Sequence, residues 1–190
     1  MDIKRFCKDF WHFIWEEDSL LSWLVNIILA FVIVKFLIYP GLGLLLGTSY
    51  PVVAVVSGSM EHNGFGFNEW WDMNKEVYKD FDISKEDFSN FKFENGFNKG
   101  DLMVLVSTKN IRRGDVIVFR GEGDEPIIHR LVVYEHINGT LFIQTKGDNN
   151  RYSRGDEIDI PKENLLGKAK FRIPYLGWFK LGFLHLLGKA

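Results

Sequence analysis

Disulfide bridges are excluded at the outset. The 190 residues contain one cysteine, Cys7, so the fold must be held by its core, which a chain of this size can supply. No Lys/Arg-rich tract is present and the formal net charge is -2, so nucleic acid is not an expected partner. Cys/His spacing of the zinc-binding kind is missing, as are glycine patterns that cradle phosphate or a dinucleotide. Neither a metal nor a cofactor is therefore expected. Repeats and low-complexity tracts are absent too, and the length suits one domain plus an appendage. What the chain has in quantity is aromatic residues, 15% of the total, including 17 phenylalanines.

One apolar stretch dominates the N-terminal part. Leu20 to Tyr39 reads LLSWLVNIILAFVIVKFLIY. About 20 helical residues rise about 30 Å, enough to cross the hydrocarbon core of a bilayer. Pro40 and Gly41 punctuate the run and Gly43 to Gly47 continue it at the interface, giving a transmembrane anchor over residues 20–47. Trp23 and Tyr39 lie near its ends, where amphipathic rings are favoured, and Lys35 is close enough to one end to snorkel outward. A core helix would show a polar face. A cleaved secretory signal would be shorter and lead into small residues, not Pro-Gly-Leu-Gly. Lys4, Arg5 and Lys8 precede the stretch, and no Lys or Arg falls between Lys35 and Lys75. The positive-inside rule then places residues 1–19 in the cytoplasm and everything after Gly47 outside.

Beyond the anchor the pattern changes to short β-rich runs: Val52–Val56, Leu102–Val106, Val116–Arg120, Ile127–Tyr134, Leu141–Thr145 and Gly167–Ile173. Gly-Asp pairs separate them, with a hairpin signal at Asn138-Gly139. Strand–helix–strand alternation is absent, so the expected fold is mainly β: an antiparallel, barrel- or sandwich-like domain over residues 48–173. Residues 61–99 interrupt it as a partly helical insert, with helices expected at Asn68–Phe81 and Ser84–Phe91 and Ser84 as an N-cap. Its Trp and Phe residues suit either plain packing or a substrate- or membrane-side cap. The last segment, residues 174–190, contains the apolar run Pro174–Leu187, too short for a span. It reads as an interfacial helix with Trp178, Phe179 and Phe183 at headgroup level, or as a helix closing the core.

Chemistry concentrates at few positions. Val52 to Met60 delivers a strand into Ser57-Gly-Ser59, where Gly58 permits a tight turn and Ser59 can stand exposed as a nucleophile. His129 lies in PIIHRLVV, where period two places Ile127, His129, Leu131 and Val133 on one face. An imidazole there is either a satisfied core histidine or a base. An acid that orients it would come from Asp148, in Lys146-Gly-Asp-Asn-Asn150, or Asp156, in Arg154-Gly-Asp-Glu157. Asp101 and Asp115 read as ordinary turn residues.

In this order along the chain, an N-terminal anchor, Ser57-Gly-Ser-Met60, Arg113-Gly-Asp-Val-Ile-Val118, Ile127-Ile-His-Arg130 and Lys146-Gly-Asp-Asn-Asn150 resemble the type I signal peptidases. The likeness is to their archaeal and endoplasmic-reticulum branch. It covers Leu20–Met60 and Gly100–Ile173 and leaves the aromatic insert outside. The resemblance implies a β-rich serine endopeptidase that cuts exported precursors just after small residues. Its site would lie near the membrane face and have no cofactor. It implies Ser59 as nucleophile, His129 in place of the lysine base of the bacterial branch, and Ser57 with the Ser59 backbone N–H as oxyanion donors. That branch has acidic residues shortly after Gly-Asp-Asn-Asn, whereas this chain reads Arg151-Tyr-Ser-Arg-Gly before Asp156, so Asp148 and Asp156 stand jointly as the third residue. Expected partners are signal-peptide-bearing precursors, the lipid bilayer and accessory subunits.

Rival readings are a Ser/Lys protease with Lys146 or Lys109 as base, and a membrane-tethered binding or assembly module without catalysis. Self-cleavage in the manner of phage-type repressors is a third, but it would want a DNA-binding domain that the chain does not carry.

Overall fold

The computed structural model describes residues 3–123, 125–137 and 139–186. The chain divides after Leu45 into two compact units.

The first unit is helical: α1 (Ile3–Trp15), α2 (Leu20–Ile33), a π turn (Val34–Ile38) and α3 (Tyr39–Leu46). Ser19 starts α2 by accepting the Ser22 N–H at 3.1 Å, the usual answer to an orphan donor at a helix start. From Leu20 to Leu46 the helix is continuous for 27 residues with a mean hydropathy of 2.5, and almost none of it is buried in protein. Pro40 therefore does not end it. Proline lacks an N–H and its ring crowds the carbonyl four residues back. Here that carbonyl lies within the widened π turn, which absorbs both problems.

The second unit is built on one six-stranded sheet in the order β1-β2-β6-β3-β4-β5: β1 (Val52–Ala54), β2 (Leu102–Val106), β3 (Val116–Phe119), β4 (Ile127–Ile137), β5 (Thr140–Lys146) and β6 (Leu165–Ile173). Every pairing is antiparallel, as the alternating pattern and turn chemistry of the sequence predict. The tip of the β4–β5 hairpin falls at Asn138, outside the described residues. β1 forms one edge of the sheet.

One correction concerns β4. A register shift between Leu131 and Val133 inserts an extra residue, so the period of two breaks there. Ile127 and Leu131 join the apolar cluster of Ile117, Phe119, Ile143 and Ile160, whereas Val132 and Val133 pack with the insert instead. A third cluster, with Val55, Met60, Met103 and Leu105 among its members, lies under β1 and β2.

The insert forms α4 (Phe67–Lys79) and α5 (Lys85–Ser89). Ser84 caps α5 in a reciprocal box with Asp87, each side chain accepting the other's backbone N–H at 3.1 Å. Trp70, Trp71, Tyr78 and Phe88 are buried together and pack against β4. The approach is tight: a Cβ on Gly114 would stand 2.2 Å from the Phe91 ring, and its φ of +90° also favours glycine.

After β6 the chain turns at Tyr175 and forms α6 (Trp178–Leu186). Leu181 faces the interior, while Tyr175, Trp178 and Phe179 are exposed. Leu187, the end of the expected apolar run, lies outside the described residues.

Candidate active site

β1 carries the chain into the Ser57–Met60 loop, and the 147–150 turn holds that loop in place. Asn149 donates its backbone N–H to the Ser59 carbonyl at 2.8 Å and its side-chain amide to the Gly58 carbonyl at 3.1 Å. Asp148 N–H lies 3.4 Å from the Met60 sulfur. The turn fits closely: a Cβ on Gly147 would stand 2.7 Å from the Ser59 carbonyl and 2.9 Å from His129 Nε2. Gly147→Ala is therefore expected to push Ser59 away from His129. Turnover should fall at least about a hundredfold, since a displacement near 1 Å costs that much. Circular dichroism and turnover on one preparation check that the fold survives while activity is lost.

His129 is the third residue of β4, opposite Ile117, and is 4% exposed. The Ser59 hydroxyl donates to His129 Nε2 at 2.8 Å. On the other side of the ring, Nδ1–H donates to Glu157 Oε1, which also accepts from the Thr145 hydroxyl at 3.4 Å. Glu157 Oε2 accepts the Arg154 backbone N–H at 2.7 Å. The carboxylate is fully buried and its oxygens are fixed by donors on β5 and on its own 3-10 turn (Gly155–Glu157). A carboxylate on Nδ1 sets the tautomer that leaves Nε2 free to take the serine proton. The Ser57 hydroxyl is 3.1 Å from that of Ser59, within reach of an oxyanion formed there.

Ser57, Ser59 and His129 thus come together, but the acid beside His129 is neither Asp148 nor Asp156. Asp156 Oδ2 instead accepts from the Arg154 guanidinium at 3.1 Å and the Glu122 N–H at 3.3 Å. Nothing in the sequence singles out Glu157, because adjacent residues of a short turn point in different directions and sequence does not show which turns inward. The Glu157 carboxylate accepts the N–H of Arg154 three residues back, but arginine offers no acceptor in return, so the sequence carries no capping-box signal there.

Asp148 belongs to a separate buried network. It pairs bidentately with Arg130, through Nε at 2.9 Å and Nη2 at 2.6 Å, and accepts the Tyr78 hydroxyl at 2.9 Å and the His62 imidazole at 3.4 Å. Burial would raise the Asp148 carboxyl, but the Arg130 charge, the His62 hydrogen bond and the Lys146 charge outweigh it and hold it well below the usual range. Arg130 also donates to the carbonyls of Lys92, Phe93 and Gly114, and its guanidinium lies 4.5 Å from the Phe88 ring centre. The insert thus lines the far side of the residue next to His129. Burying a charged pair costs several kcal/mol per ion, and large aromatic side chains that each contribute roughly 2–3 kcal/mol can offset it.

Lys146 donates to the carbonyls of Gly147 and Asn150, both at 2.8 Å, with its ammonium 4.5 Å from the Tyr78 ring centre. Lys109 is exposed on a surface turn. Burial lowers the Lys146 amine to about 8, against 10.5 for an ordinary lysine. Between these values the unfolded chain holds the extra proton, so stability rises with pH there and is lowest below pH 8. Above pH 10 the Tyr78 hydroxyl, pushed well up by burial and by Asp148, opposes the trend. Urea unfolding followed by tryptophan fluorescence should show a gain of up to about 3 kcal/mol from pH 7 to 10, absent in Lys146→Met.

A cleft of about 580 Å³ opens at Ser59 and His129, lined also by Ala54, Val56, Ile127 and Asp156. Its apolar wall lies beside the edge strand β1. Among the described residues no cluster of His, Cys, Asp and Glu could hold a metal ion.

These features define a serine–histidine–carboxylate constellation on an antiparallel sheet. The chain is similar to proteins named signal peptidase complex catalytic subunits. It is 32% identical to subunit SEC11C of Homo sapiens over 151 residues, which is 74% of this chain and 61% of that one. It is 27% identical to subunit SEC11 of Candida tropicalis over 171 residues, 80% of this chain and 83% of that one. The chain thus spans 61% of the length of its mammalian relatives. No family model matches it.

Proposed function

We propose that this protein is a membrane-bound serine endopeptidase that removes signal peptides from exported precursors, on the histidine-using branch of the type I signal peptidases. The observation that carries this reading is the continuous hydrogen-bonded line from the Ser59 hydroxyl through His129 to Glu157. Ser59 attacks the scissile carbonyl while His129 takes its proton, and Glu157 stabilises the imidazolium that results. Ser57 and the Ser59 amide receive the oxyanion. His129 then protonates the leaving amine, and water releases the acyl-enzyme by the same steps in reverse order.

The substrate lies extended beside the β1 edge, whose backbone can pair with it, and the shallow cleft admits small side chains. The helix Leu20–Leu46 anchors the enzyme in the bilayer with residues 1–19 in the cytoplasm and the sheet domain outside, in keeping with Lys4, Arg5 and Lys8. Relatives named as subunits of a complex support accessory subunits as further partners.

The test is cleavage of a precursor carrying Ala-x-Ala by the full chain in liposomes, with sequencing of the new N-terminus. A single cut after the second alanine is expected. No cut, with accessory subunits supplied, favours the binding or assembly module.

A further inference from the structure

The first helix has an amphipathic pattern. At about 100° per residue, Ile3, Cys7, Phe10 and Ile14 of α1 fall on one side, with Trp11 at its flank, and Arg5, Lys8, Asp9 and His12 fall on the other. Ile3, Trp11 and Trp15 are 73%, 63% and 70% exposed, although the two indole rings lie 5.6 Å apart and shield one another in part. An isolated helix of this length gains little from propensity alone, so an apolar face of this size needs a surface to lie on.

Two hydrogen bonds identify that surface. The Ser22 hydroxyl donates to the Phe13 carbonyl at 2.6 Å, and the Asn26 side chain donates to the Ile14 carbonyl at 2.9 Å. Ser22 and Asn26 stand one turn apart on α2, so together they satisfy carbonyls left orphaned at the end of α1. They also fix its depth. Asn26 is six residues into the long apolar helix, roughly 9 Å from its start at 1.5 Å per residue. If Leu20 marks the edge of the hydrocarbon, the end of α1 is held below that edge, within the roughly 5–10 Å at which interfacial helices settle. Ser22, 1% exposed, is shielded at the corner.

We infer that α1 is an in-plane membrane helix, seated at the headgroup–acyl boundary of the leaflet where Leu20 begins, with Arg5 and Lys8 directed to anionic phospholipid headgroups. It rests on the reading of Leu20–Leu46 as a membrane span and is independent of the proteolytic reading. The helix gives the protein a second, composition-sensitive contact with the bilayer and restrains rotation of the anchor about its axis.

Cys7, the only cysteine, makes the test direct. The full chain carrying a nitroxide at Cys7 is reconstituted in phosphatidylcholine vesicles with and without phosphatidylglycerol. Collisions with oxygen and with a water-soluble nickel complex are then read by spin-label power saturation. Two controls on Cys7→Ser carry the label at His12→Cys, on the polar side, and at Phe31→Cys, inside the span. Cys7 should be severalfold less accessible to nickel than His12→Cys and lie deeper when phosphatidylglycerol is present. Arg5→Gln with Lys8→Gln should abolish that dependence on lipid. Nickel access at Phe31→Cys overturns the span itself. Protection there, with Cys7 as open to nickel as His12→Cys, overturns the in-plane helix alone and points to a protein partner for α1.

Discussion

Glu157→Gln is expected to lower kcat by about a thousand- to ten-thousandfold while KM changes little. An amide in place of a histidine-orienting carboxylate can hold the wrong tautomer and removes the charge that stabilises the imidazolium, and losses of that order follow. The site makes the consequence specific. His129 Nδ1 has Glu157 as its carboxylate, and Glu157 is held by Thr145 and by the Arg154 N–H. Glutamine can keep an oxygen toward Arg154 N–H, but it then presents an NH₂ to His129 and invites the tautomer whose Nε2 bears the proton. Ser59 would lose its base with the fold intact. Asp156→Ala should stay within about tenfold of wild type, because that carboxylate faces Arg154 and Glu122 instead. Steady-state cleavage of a fluorogenic precursor peptide by the three proteins decides between them. Full activity in Glu157→Gln with loss in Asp156→Ala would reassign the acid.

Asp148→Ala should behave differently, as a stability variant. It leaves the guanidinium of Arg130 in a fully buried site with carbonyls and aromatic rings but no counter-charge. Breaking a buried pair from one side costs about 3–5 kcal/mol. For a chain of this size that lowers Tm by roughly 6–20 °C. Activity should fall with the folded fraction and recover in part at low temperature. Replacing both partners, Arg130→Met with Asp148→Leu, should be milder than Asp148→Ala, since no unpaired charge remains. Differential scanning fluorimetry on wild type and the two variants provides the comparison. A normal Tm for Asp148→Ala with activity lost at every temperature would instead place Asp148 in the chemistry.

The two aspartate candidates show where sequence reading succeeds and where it stops. Strands β2 to β6 follow from local signals, because alternation and Gly-Asp turns are read over a few residues. The helix start at Ser84 is equally local, since its capping box closes within three residues. The anchor past Pro40 is legible in its apolar composition, whereas the π turn that accommodates the proline depends on geometry four residues upstream. Nothing in PIIHRLVV marks the bulge that turns Val133 away from the face of Ile127 and Leu131. Ser59 and His129 were legible as a pair through motif order, although they lie 70 residues apart. The acid was not, since Asp156 and Glu157 differ only in which way one short turn directs them. The partnership of the insert with Arg130 was invisible for another reason. A charged residue in a strand reads as solvent-facing until the aromatic shell around it is seen.

The most direct test of the nucleophile is single-turnover cleavage of an Ala-x-Ala precursor in liposomes by wild type and Ser59→Ala. Both proteins should first be shown to melt alike. Removing the Ser59 hydroxyl should leave no measurable product above the uncatalysed rate. Product from Ser59→Ala at an unchanged position and a comparable rate would contradict the assignment of Ser59, and with it the line of hydrogen bonds to His129 and Glu157 as the source of catalysis.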